Sequence, residues 1–128
     1  MKKFIRLILL LISIITLLSG AMQVIVPALV LNFVGAEIDT TTKQLFATIG
    51  MFMFLFGGMM VHALYNEHDN RVAVIWSALQ KLGASVAVFI GIYKGVFVPL
   101  AGGVAAFDLL SGLLFFYYLK TLKSDAVS

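Results

Sequence analysis

With 128 residues, 62% of them hydrophobic and 12% charged, and a mean hydropathy of +1.07, the chain carries far more apolar surface than a soluble core hides. At about 20 helical residues per crossing, this length holds three or four membrane spans and leaves no room for a separate soluble catalytic domain. The lack of cysteine excludes disulfides, thiolate chemistry and a lipidated Cys, and the net charge of +3 sits at the ends of apolar runs rather than on a basic stripe for nucleic acid.

The first apolar run goes from Phe4 to about Val26, behind Lys2, Lys3 and Arg6, and continues in weaker form to Phe33. Thirty helical residues would span about 45 Å, too long for an untilted crossing, so a break is predicted before Pro27, with residues 27–34 at the outer interface. Lys2-Lys3, the apolar stretch and Ser19-Gly20-Ala21 also fit a signal peptide, whose cleavage would leave three helices. The run continues well past Ala21, which favours an uncleaved span.

A polar stretch from Gly35 to Lys43 leads to a second run, Leu45 to Tyr65, expected to lie antiparallel to the first because the connection is short. Asn66-Glu67-His68-Asp69-Asn70-Arg71 is the most polar segment, and the third run covers Val72 to Tyr93. Lys94-Gly95 marks a tight turn. The fourth run, Val96 to Leu119, ends in a polar tail, 120–128, predicted to fray. The expected fold is therefore all-α, a single integral membrane bundle of four transmembrane helices over 4–26, 45–65, 72–93 and 96–119. Lys2, Lys3, Arg6, Arg71, Lys120 and Lys123 on one side, against Lys43 and Lys94 on the other, predict that both termini are cytoplasmic.

Lys81 and Asp108 lie inside apolar runs, where a charge at the bilayer centre costs at least about 2.5–3.5 kcal/mol on insertion scales. Lys81 is roughly 15 Å from the inner end of its helix at Arg71, and Asp108 roughly 18 Å from Lys120, so both reach the midplane on consecutive antiparallel helices. Opposite charges at one depth remove most of each other's penalty, and a Lys81–Asp108 ion pair facing the bundle interior is predicted. Ser77 and Gln80 share a polar face with Lys81, Ser111 lies beside Asp108, and Thr16 on the first helix reaches the same depth. These six residues form a candidate polar core that either organises the helices or contacts a ligand.

His62, Glu67, His68 and Arg71 form a second cluster at the cytoplasmic interface. Their spacing does not match a tight metal motif such as His-Glu-x-x-His, and an ordinary solvated interface is the expectation, with no metal and no cofactor. Glycines 50, 57, 58, 83, 91, 102, 103 and 112 allow close helix packing, the phenylalanines and methionines serve packing or face lipid, and Trp76, Tyr65, Tyr93, Tyr117 and Tyr118 suit an interfacial aromatic belt. No phosphate loop, nucleophile elbow or Ser/His/Asp set appears, so no catalytic residue is assigned.

The stretch Arg71-Val72-Ala73-Val74-Ile75-Trp76-Ser77-Ala78-Leu79-Gln80-Lys81-Leu82-Gly83, with Phe107-Asp108-Leu109-Leu110-Ser111-Gly112, is similar to small four-helix bacterial membrane proteins of the broad DoxX-like kind. The resemblance implies a four-helix fold in a bacterial inner membrane and carries no catalytic residue across. Three functions follow as expectations. The first is a non-enzymatic accessory or interaction module whose ion pair organises the bundle. The second is a binder, carrier or isomerase for a lipid-like or quinone-like molecule, and the third an oligomeric ion or proton conductor lined by Lys81, Asp108 and His62. Expected partners are the lipid bilayer and a second copy or another membrane protein, and not nucleic acid.

Overall fold

The computed structural model describes residues 2–66 and 70–127 and is helical almost throughout. Helix α1 covers Lys2–Ile25, α2 Pro27–Val34, α3 Thr40–Tyr65, α4 Arg71–Tyr93 and α5 Gly102–Val127, with a single 3-10 turn at Pro99–Ala101 before α5. Four stretches, Lys3–Ile25, Thr40–Tyr65, Arg71–Tyr93 and Pro99–Leu122, are long and apolar enough to cross a membrane. At 1.5 Å per residue each spans the roughly 30 Å of hydrocarbon.

The boundaries follow from local chemistry. Pro27 has no amide to donate into α1 and takes the first position of α2, where the missing donor costs nothing. Gly35 ends α2 in the left-handed region at φ 72°, its N–H bonding the Asn32 carbonyl while the Ala36 N–H returns to Leu31. Helix α3 starts earlier than the apolar run suggests, at Thr40, because the Asp39 carboxylate accepts the Thr42 N–H at 2.7 Å and caps the first turn. Asn70 does the same for α4 through the Ala73 N–H at 3.3 Å.

The fourth span departs from the expected 96–119. A helix cannot begin at Val96, because Pro99 would lie inside it and forces Val98 into an extended conformation. Val96 and Phe97 instead both donate to the Gly91 carbonyl, Val98 donates to Val34, and α5 proper begins at Gly102. At the other end the backbone stays helical through Val127, where a frayed tail was expected. The Thr121 hydroxyl bonds the Tyr118 carbonyl at 2.6 Å and Leu122 is buried in the core, so α5 is anchored from within as far as Leu122.

Protonation leaves Asp39 an uncharged and weaker acceptor for the α3 cap, and the Thr42 hydrogen bonds hold its carboxyl below the ordinary 3.8. A carboxyl depressed in the folded state contributes stability that is complete above its unfolded value and is lost as pH falls through the folded one. The stability difference between wild type and Asp39→Ala should therefore be constant near neutrality and shrink as pH falls below about 3.8, read by thermal unfolding in detergent across a pH series.

The helices are arranged as a square, in the spatial order α1, α3, α4, α5, and pack as two tight antiparallel pairs, α1 with α3 and α4 with α5. In the first pair the backbones touch: a Cβ built on Gly20 would lie 2.5 Å from the Gly50 carbonyl oxygen, and one on Gly57 would lie 2.6 Å from the Leu17 nitrogen. In the second, Gly112 receives Leu82 of α4, whose Cδ2 would stand 2.7 Å from an added Cβ. Lipid tails are as apolar as Leu, so this close backbone packing, rather than hydrophobic burial, favours association of the helices. The two pairs meet more loosely, α1 against α5 and, least of all, α3 against α4.

The interior is layered along the membrane normal. At the end of the bundle nearest the start of α1, Ile5, Leu9, Met60, Leu64, Val74, Phe115, Tyr118 and Leu122 form an apolar core. Tyr118 is buried there at 3% exposure, so it is not part of an aromatic belt, whereas Trp76, Tyr65 and Tyr93 are exposed. Next along the bundle comes a polar layer of Ser13, Thr16, Ser77, Lys81, Ser85 and Ser111, all buried. Beyond the polar layer the buried positions include small residues, among them Gly20, Gly91, Ala101 and Ala105.

Candidate functional site

The polar layer is built around Lys81. Its Nζ lies 3.4 Å from Asp108 Oδ1, with the two side chains 5% and 13% exposed, and it donates a hydrogen bond to Thr16 Oγ1. The Thr16 hydroxyl in turn donates to its own helix, to the Ile12 carbonyl at 2.9 Å, so it accepts from the ammonium and gives away its proton in the other direction. The Phe107 ring lies with its centroid 5.5 Å from Nζ and adds a cation–π contact.

This arrangement joins three helices through one side chain. The backbones of α1 and α4 are diagonal in the square and do not meet, and Lys81 reaches across from α4 to Thr16 while also pairing with α5. Its long apolar stem fills the gap between the helix pairs and its head carries the only charge-assisted tie among the described residues across it. The pair thus fixes the rotation of α4 and α5 and the separation of the two hairpins together.

Of the other expected residues, Ser77 and Gln80 line, with Ser13, Thr16 and Lys81, a recess where the four helices converge. It is about 10 Å³, measured at the centre of a water-sized sphere, which is room for about one water molecule. Ser111 is buried one turn along α5 from Asp108 and does not line this recess.

Of the interfacial cluster the structure describes two residues, His62 and Arg71. His62 is exposed on the outer side of α3, and Arg71 is half-buried as the first residue of α4. Glu67 and His68 lie outside the described residues. Among the described residues no group of three His, Cys, Asp or Glu side chains gathers within reach of a metal ion. At this end of the bundle Arg6 Nη2 donates to the Asn66 carbonyl at 3.4 Å over a shallow cleft bordered by Asn70 and Tyr118.

Two residues of the buried polar set were not anticipated. Gln23, 6% exposed, donates through Nε2 to the Phe46 carbonyl of α3 at 3.2 Å, and Ser13, 1% exposed, sits one turn from Thr16 and donates to the Leu9 carbonyl at 2.7 Å. The signal was available in the spacing, since Ser13, Thr16, Gly20 and Gln23 recur at intervals of three and four along a single face of α1.

Fold and site together define a multi-pass helical membrane protein with a midplane ion pair. No family model matches the chain, and no curated protein or solved structure is detectably similar to it.

Proposed function

We propose that this chain is a non-enzymatic accessory or interaction module of a bacterial cytoplasmic membrane, with both termini in the cytoplasm, in which the Lys81–Asp108 pair organises the bundle. The observation that carries the reading is how completely the pair is used inside the fold. Lys81 is 4% exposed, is met by Asp108, Thr16 and the Phe107 ring, and has beside it space for one water and no more. A lipid-like or quinone-like head group needs a pocket of hundreds of cubic ångströms. A conductor needs a continuous polar path, and the polar layer is closed by Leu9, Met60 and Phe115 on its inner side. The bacterial membrane is assigned on the resemblance that residues 71–83 and 107–112 bear to DoxX-like proteins.

On this reading the working surface is external, and the partner is another membrane protein or a second copy seated on the lipid-facing helices. Helix α3 has the smallest buried share of the four spans, and exposes Leu45, Phe52, Leu55 and Met59 along its length. The test is whether function in cells survives loss of the charges. Cells carrying only the Lys81→Met, Asp108→Leu double variant should grow like wild type, and growth lost with the fold retained would overturn the reading.

The orientation has its own check. Because the sequence contains no cysteine, single replacements report cleanly. Lys94→Cys is expected to react with a membrane-impermeant maleimide on intact spheroplasts, and Asn70→Cys only after lysis. The reverse pattern would place the termini outside.

A further inference from the structure

Ser77 differs from the two α1 hydroxyls of the polar layer. Ser13 and Thr16 turn back onto their own helix and donate to the carbonyls four residues earlier. Ser77, 3% exposed, does not, and its Oγ is the one buried side-chain polar atom among the described residues with no hydrogen-bond partner. Three residues on, and on the same side of α4, Gln80 is half-buried and its amide makes no hydrogen bond among the described residues. Both residues line the recess against Phe56 and Met60 of α3, at the helix contact that is packed least. Inside hydrocarbon, where no bulk water is at hand, two adjacent polar groups left without partners are expensive.

We propose that the recess where the four helices converge is, on its α4 side, a binding site for one neutral oxygen atom, held by the Ser77 hydroxyl and the Gln80 amide. Its size admits a single oxygen and not a ring or a phosphate. Its charge state follows from the neighbours: Lys81 and Asp108 already cancel, so an ion entering here would leave unbalanced charge at the midplane. Ser77 supplies one donor and acceptor lone pairs, and Gln80 supplies both an acceptor and an N–H donor, so the pair suits a hydroxyl, a carbonyl or water. Such an oxygen comes from a trapped water molecule or from the tip of a slender apolar molecule entering sideways between α3 and α4, where the flexible Met60 can give way. The site does not depend on the proposed function, since a bundle held by its ion pair keeps that role with the recess filled.

Solid-state NMR of the full chain in lipid bilayers tests this. The protein is 13C-labelled and observed by transfer from water protons, then in bilayers containing 1-dodecanol labelled at the hydroxyl carbon. Transfer from water to Ser77 Cβ identifies water as the occupant, and a cross-peak between Ser77 Cβ and the dodecanol carbon identifies a membrane-dissolved source. Either signal supports the site if the matching contact at the Gln80 amide is lost in Ser77→Ala while the Lys81 and Thr16 resonances stay in place. Gln80→Met, which keeps the stem and removes the amide, gives the reciprocal loss at Ser77 should Ser77→Ala not fold. Absence of both transfers, with the Ser77 hydroxyl bonded to the Ala73 carbonyl, overturns the proposal.

Discussion

Lys81→Met alone should destabilise the folded bundle by about 3–5 kcal/mol, Asp108→Leu alone by a similar amount, and the double variant far less than the sum. Each single change leaves a charge buried in the low-dielectric centre of the protein with its partner gone. That orphan, not the lost attraction, dominates the cost, because the ions have already given up their hydration in order to be buried. Removing both leaves Met and Leu, of similar length and wholly apolar, against the Phe107 and Phe115 rings. Unfolding in detergent, run as a double-mutant cycle, measures the coupling directly, and additive losses would mean that the two side chains act independently. Thr16→Val belongs in the same series. It removes the acceptor for Lys81 while keeping the shape, and hydrogen bonds between membrane helices average about 0.6 kcal/mol, so it should cost much less than either charge.

The midplane pair was legible in the sequence for a physical reason. A charge inside an apolar run is rare, and its depth can be counted from the helix end, so Lys81, Asp108 and Thr16 could be placed at one level without coordinates. Depth, however, is only one of the two coordinates of a residue on a helix. The other, rotation about the axis, depends on which neighbour packs where. That is why Gln23 and Ser13 were overlooked, since neither is costly enough alone to demand a partner, and why Tyr118 looked interfacial when it is turned inward. It is also why Ser111, at the right depth, proves to lie away from the recess. The start of α5 was hidden for a different reason. Val96, Phe97 and Val98 are as apolar as the helix that follows, and composition does not register that Pro99 withholds an amide and Gly91 offers a carbonyl to two donors.

Rotation decides equally which of two neighbouring glycines matters, and this gives the second large effect. Gly57→Ala should destabilise the bundle by about 1–3 kcal/mol, whereas Gly58→Ala should be neutral or slightly stabilising. At Gly57 a methyl group would lie 2.6 Å from the Leu17 nitrogen and 2.8 Å from both the Leu17 Cα and the Ser13 carbonyl oxygen. All three are backbone atoms of α1, so none can turn aside, and the helices must move apart. At Gly58 the nearest neighbour is the tip of Leu17 at 3.8 Å, an ordinary contact, and alanine also favours the helix by about 0.8–1.0 kcal/mol over glycine. Displacing α1 has a further consequence, because Thr16 rides on the same stretch of helix as Ser13 and Leu17 and is the hydrogen-bond partner of Lys81 on α1. Gly57→Ala should therefore weaken the Lys81–Thr16 bond from a distance. The double variant Gly57→Ala, Thr16→Val should lose less than the sum of the two single losses, because the first has already spoiled the contact that the second removes. Equal stability of the Gly57 and Gly58 variants would mean that α1 and α3 do not meet backbone to backbone, and that the polar layer, rather than glycine packing, sets the distance between them.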